Sequence, residues 1–125
     1  MDDAMGFKED IQRKSLDFAV RVVRLARYLQ DDKKDFVISR QILKSGTSIG
    51  ANIREAQYGQ SAADFIAKLH IALKEGAETQ YWIEILEKAD LVAAARIRPL
   101  KMSCDELVGM LIQAVKSSKQ KQGTL

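Results

Sequence analysis

His70 is the only histidine and Cys104 the only cysteine in the chain, so the inventory for acid–base, nucleophilic or metal chemistry is thin. A histidine acting as a general base needs a positioned orienting group. A bundle metal site of the Glu-x-x-His type needs a carboxylate three residues earlier. That place holds Ala67. His70 therefore reads as an ordinary interface or surface residue. Cys104 falls on an apolar stripe, where a free thiol behaves as a small hydrophobe. With one cysteine, neither an intrachain disulfide nor a zinc cluster can form. The run Ser45-Gly46-Thr47-Ser48-Ile49-Gly50 has the look of a phosphate loop, but it lacks the required lysine and a preceding strand. The residues predict no catalytic site, no metal and no cofactor.

The charged residues carry the one positive lead. Arg21, Arg24 and Arg27 step by three, with Arg13 and Lys14 earlier on the same segment. Arg40, Lys44 and Arg54 follow on the next segment. A helical bundle can turn such rows into a basic stripe that contacts phosphates of RNA or DNA. Asp10 and Asp17 interrupt the first row, and no aromatic residues are interleaved to stack bases. The bulk charge is a weak lean in the same direction: 20 Lys+Arg against 17 Asp+Glu, a formal charge of +3. Among the acids, Glu75, Glu78, Glu84 and Glu87 share one segment, and Glu84 can pair with Lys88 one turn later. Ser48 and Asn52, one turn apart beside an apolar stripe and close to Glu55, read as a polar network that would fix helix register.

These residues need helices to position them. The chain has 125 residues, 46% of them hydrophobic, with one proline and seven glycines. That suits one domain with one core and long uninterrupted helices. Four segments show helical periodicity, at about 7–30, 36–57, 62–89 and 95–117. Their apolar stripes are Ile11, Phe18, Val22, Leu25 and Leu29; Ile38, Ile42, Ile49, Ile53 and Ala56; Phe65, Leu69, Ala72, Gly76, Thr79, Ile83 and Leu86; and Leu100, Cys104, Leu107, Leu111 and Val115. The third alternates steps of four and three, as in a coiled-coil seam. A second line, Ile66, Leu73, Trp82 and Ile85, widens its apolar face and hints at a contact between subunits. Ser45 and Gly46 fall on the core face of the second segment, where small residues admit a neighbouring helix, so that segment is read as continuous. Gly59 suits a C-terminal cap, and Ser61 with Asp64 an N-terminal one. Pro99 should stand near the first turn of the fourth helix. The polar tail from Lys116 should fray. Short connectors make consecutive helices antiparallel neighbours, which predicts an all-α, up-down-up-down four-helix bundle over residues 1–125. No stretch approaches the roughly 18 apolar residues of a membrane span. With no secretory signal at the N-terminus, the expectation is a cytoplasmic protein.

The stretch Gln41 to Ala56, QILKSGTSIGANIREA, resembles the four-helix bundle proteins related to those encoded within intervening sequences of bacterial 23S ribosomal RNA genes. The runs Ser61 to Leu69, Ile71 to Glu75 and Glu78 to Leu86 carry the resemblance further, and it covers most of the chain. It implies a bacterial source and a ring-like homo-oligomer, typically a pentamer. One relative is the accessory protein of diversity-generating retroelements, which binds its reverse transcriptase and nucleic acid. The motif positions of the family fall on Ser48, Asn52, Glu55, Glu78 and Glu84, which the resemblance gives as structural polar contacts. Many members carry Pro and Gly where this chain has Gly50 and Ala56, which sets it on a sister branch. Two functions are therefore expected: a non-enzymatic oligomer binding RNA or DNA through its basic faces, or a protein–protein adaptor ring.

Overall fold

The computed structural model describes residues 3–123, with side chains from Gly6 onward. Four helices follow one another: α1 (Asp3–Asp31), α2 (Val37–Ala56), α3 (Ala62–Lys88) and α4 (Ala94–Gly123). No strand occurs among the described residues. Each helix packs on its neighbours in sequence, α1 closes on α4, and the backbones of the diagonal pairs stay apart among the described residues. This is the up-down-up-down bundle that short connectors impose. The α1–α4 seam is the thinnest of the four. No helix among the described residues is long and apolar enough to cross a membrane.

The apolar stripes meet in one core. Phe18, Val22 and Leu29 of α1, Ile42, Ile49 and Ile53 of α2, Ile83 and Leu86 of α3 and Leu107 and Leu111 of α4 are all essentially fully buried. Of the predicted stripe residues, only Ile38 and Phe65 stay half-exposed, packed against the edge of the core. The second line of α3 is largely absorbed by the same core. Ile66 is buried, and Leu73 and Trp82 pack against the cluster.

α2 is continuous through Ser45 and Gly46, two small residues against which both neighbouring helices pack. A Cβ on Gly46 would stand 2.9 Å from both methyls of Val22. Beside it, the hydroxyls of Ser45 and Thr79 are hydrogen-bonded at 2.9 Å across the α2–α3 interface. Thr79 also donates to the Glu75 carbonyl at 2.7 Å. A hydroxyl has a single proton, so Ser45 supplies the proton of the bond between them.

The helix ends follow local chemistry. Ser61 caps α3 by accepting from the Asp64 amide at 3.1 Å, and the Asp64 carboxylate accepts from the Gln60 amide at 3.2 Å. The first is the N-cap bond, and the second ties the preceding residue to the same first turn. Asp35 performs the same task for α2, accepting from the amides of Val37 and Ile38. α3 ends in a Schellman turn. Asp90 takes a left-handed φ of 57°, its amide donates to Glu87, and the Leu91 amide reaches back to Leu86.

Three expectations are corrected. Gly59 is not a left-handed cap, since no glycine among the described residues has positive φ. α2 unwinds instead through tight turns from Gln57, Tyr58 and Gly59 back to Arg54, Glu55 and Ala56. Space is tight at Gly59, where a Cβ would lie 3.2 Å from the Ala56 carbonyl and the Phe65 amide. Pro99 stands beyond the first turn of α4, which begins at Ala94. The carbonyl left without a partner is that of Ala95, an exposed residue that water can reach. Finally, α4 does not fray at Lys116 but continues to Gly123. Its tail is mainly lysine, glutamine and serine, and the long straight-chain residues among these keep most of their side-chain freedom in a helix. α1 likewise begins at Asp3, ahead of the apolar pattern.

Candidate nucleic-acid interface

The two basic rows do not merge into one stripe. An i, i+3 step on a helix of about 3.6 residues per turn swings back by roughly 60°, so Arg21, Arg24 and Arg27 fan across α1. Arg21 and Arg24 turn toward α4 and share a concavity with Arg96, Leu25, Ile97 and Leu100. Arg27 is exposed on the outer side of α1. Arg54 lies on the other flank of α1, in the α1–α2 groove with Leu16, Ala19, Thr47 and Ala51. Arg40 and Lys44 are exposed, one turn apart on the outer face of α2.

All six are without carboxylate partners among the described residues. The ion pairs there are made by Arg13, Lys14, Lys68, Lys88 and Lys101. The contrast is sharpest along the α1–α4 seam. At one end, Lys14 sits between Asp10 at 3.2 Å and Glu106 at 2.9 Å. Hydrogen bonding to Glu106, and then to Asp10, pushes its pKa above the ordinary lysine value. Farther along, Nη1 of Arg21 donates to the Ser103 hydroxyl at 2.8 Å. The guanidinium of Arg96 lies 3.8 Å from the ring centroid of Tyr28. Arg24 makes no side-chain hydrogen bond or ion pair among the described residues. A hydroxyl and a ring face orient these arginines and leave their charge uncompensated.

Arg96, Ser103 and Tyr28 escape the sequence reading. Arg96 lies where the start of the fourth helix is ambiguous, and no local signal links it to a residue on α1.

The polar positions beside the core are taken up structurally. Ser48 donates to the Lys44 carbonyl at 2.6 Å. The Asn52 amide donates to the Ser48 carbonyl at 2.8 Å. These contacts stay within α2, so the register-fixing network expected of Ser48 and Asn52 is instead made by Ser45 and Thr79. Glu55 pairs with Lys68 across the α2–α3 interface at 3.1 Å. Glu78 accepts from the Trp82 indole at 3.1 Å. Glu84 pairs with Lys88 at 3.4 Å, as its spacing predicts.

His70 is half-buried and makes no hydrogen bond or ion pair among the described residues. Cys104 is buried, with its thiol directed at the Gly76 carbonyl at 3.7 Å. Burial, reinforced by the neighbouring Asp105 charge, pushes its pKa from 9.0 up to about 12. The native thiol therefore stays protonated where an unfolded one ionises. Its contribution to stability is complete below pH 9.0 and is lost as pH rises toward about 12. Iodoacetamide at mildly alkaline pH should leave folded protein unmodified while guanidinium-denatured protein is labelled fully, as read by intact mass. Equal labelling rates in both states would contradict the burial.

A family model described as 23S rRNA-intervening sequence protein matches residues 8–113, a span that includes every basic residue discussed above except those of the α4 tail. Among solved structures, one from Bacteroides thetaiotaomicron VPI-5482 is similar over 88% of this chain and 98% of its own, at 47% identity and a TM-score of 0.86. It is described as a protein with unknown function from the S23 ribosomal protein family. No curated protein matches the chain significantly.

Proposed function

We propose, from the premise that this chain belongs to the 23S rRNA-intervening sequence protein family, that it is a non-enzymatic, self-associating helical bundle that binds nucleic acid through its unpaired arginines. The observation that carries the reading is the partition of charge. The ion pairs among the described residues join Asp10, Glu55, Glu84, Glu87 and Glu106 to Arg13 and to lysines, while Arg21, Arg24, Arg27, Arg40, Lys44 and Arg54 take part in none of them. Surface arginines with no internal counterion present an undiminished field to a polyanion. The names of the family and of its solved relative both refer to the ribosome, which puts structured RNA first among the probes.

Self-association is supported by the flank of α1. Leu16 and Val20, one turn apart, are 50% and 41% exposed. They stand beside a groove of small residues, Ala19, Thr47, Gly50 and Ala51. A second copy seated there would cover them together with Arg54, leaving the remaining basic residues to nucleic acid, and the ring-like pentamer implied by the resemblance is the assembly to look for.

The test is fluorescence anisotropy of labelled structured RNA and duplex DNA against purified protein, at low and near-physiological salt. Its mass is read by light scattering on the same sample. The expected result is binding that weakens steeply with salt, by an oligomer. Arg21→Glu with Arg24→Glu should abolish it at near-physiological salt, because each lost phosphate contact removes about one unit from the log–log salt slope. Absence of binding at low salt would remove the nucleic-acid reading and leave a protein adaptor. A monomer mass would remove self-association.

A further inference from the structure

We infer that the concavity formed by Arg21, Arg24 and Arg96 across the α1–α4 seam is a built site for one phosphate group of a nucleic-acid backbone, with Arg96 as its anchor. The inference rests on the nucleic-acid reading for the identity of the occupant, but the pocket's own chemistry stands apart from it.

Three features make this a site and not merely a charged surface. The first is convergence. Arginines from two helices line one recess of about 170 Å³, the volume of about six liquid waters at roughly 30 Å³ each. That holds one phosphate group and little more. The second is preorganisation. The Ser103 hydroxyl fixes Arg21 through Nη1 alone, which leaves the other N–H donors of the guanidinium available. The guanidinium carbon of Arg96 lies over the Tyr28 ring, a cation–π contact, and none of the guanidinium N–H donors is used in a hydrogen bond to another described residue. Less side-chain freedom is then lost when an anion arrives. The third is the wall behind them. Leu25, Ile97 and Leu100 are buried and apolar, and low-dielectric walls strengthen the field of the charges in front of them. Asp17, one turn before Arg21 on α1, makes no ion pair with any of the three. The first turn of α4, next to Arg96, carries no acid.

Phosphate is the anion that fits. A guanidinium presents a planar fork matched to phosphate oxygens, and arginines arriving from two helices suit a tetrahedral group whose oxygens point in different directions better than a planar carboxylate.

Two measurements on the full chain test the site. In the first, the arginine Nε–H signals are followed by NMR during titration with inorganic phosphate. Arg21, Arg24 and Arg96 should shift together, while Arg40 and Arg54 should not. Uniform shifts over all arginines would overturn the site. In the second, binding of a short RNA duplex is followed as a function of salt for the wild type, Arg96→Gln and Arg98→Gln. Arg98 is exposed on the same helix and outside the recess. Arg96→Gln should weaken binding severalfold and lower the salt slope by about one unit, with Arg98→Gln close to wild type. Equal slopes for the two variants in a wild type that binds RNA would overturn the pocket and leave the proposed function standing. Selective phosphate shifts in a protein that binds no RNA would support the pocket and overturn its nucleic-acid occupant. Should Arg96→Gln lose its thermal transition, Arg24→Gln gives the same readout without removing an internal contact.

Discussion

Gly46→Leu is expected to abolish folding, and Gly46→Ala to lower stability even though alanine is the better helix former. At an open helical position, glycine to alanine gains up to about 1 kcal/mol. At Gly46 the added methyl would stand 2.9 Å from both Cγ atoms of Val22. Val22 is fully buried and β-branched, so it cannot turn away. Overpacking of this kind costs about 1–3 kcal/mol, which outweighs the propensity gain. Two other glycines give the scale. A methyl added at Gly109 would meet nothing within 4 Å, so Gly109→Ala should raise stability by about 0.5–1 kcal/mol. A methyl at Gly76 would meet Val108 at 2.9 Å. Because Val108 is only half-buried, it can yield, and Gly76→Ala should be nearly neutral. Urea unfolding followed by circular dichroism gives the ranking. A Gly46→Ala protein as stable as Gly109→Ala would mean that α1 and α2 are not in such close contact.

Thr79→Val is expected to cost about 1–3 kcal/mol, since it keeps the shape of the side chain and leaves the buried Ser45 hydroxyl without its cross-helix partner. Ser45→Ala should cost less, because Thr79 retains its bond to the Glu75 carbonyl. The double variant should lose less than the sum of the two, with a coupling of about 0.5–3 kcal/mol. Additive losses would show that the hydroxyls do not interact, and the register of α2 against α3 would then rest on packing alone.

Much of this architecture is legible in residue spacing. Ser45 and Gly46 lie between Ile42 and Ile49, so their small size has to serve a neighbouring helix. Their partners, Thr79 and Val22, are out of reach, because no local pattern says which helix approaches. Ser61 and Asp64 form their cap within one turn of sequence and are readable. The Schellman turn at Asp90 is not, because aspartate stands where glycine usually marks a left-handed position. α4 outruns its apolar stripe because helix propensity, not burial, carries its tail. The candidate site is half legible. The charge of Arg21 and Arg24 is visible, but their division from Arg27 follows from helical phase. Arg96 joins them only because the fourth helix returns beside the first.

That return has a kinetic side. The α1–α2, α2–α3 and α3–α4 contacts join segments adjacent in sequence, and such local pairings form early and fast. The α1–α4 seam joins the two ends of the chain and is the most thinly packed. Hydrogen exchange should therefore find it the first part of the bundle to open. A ligand clasped by Arg21, Arg24 and Arg96 would bridge that seam, and anything that binds only the closed form shifts the opening equilibrium by mass action. Occupancy of a surface recess would then set how often the chain ends part.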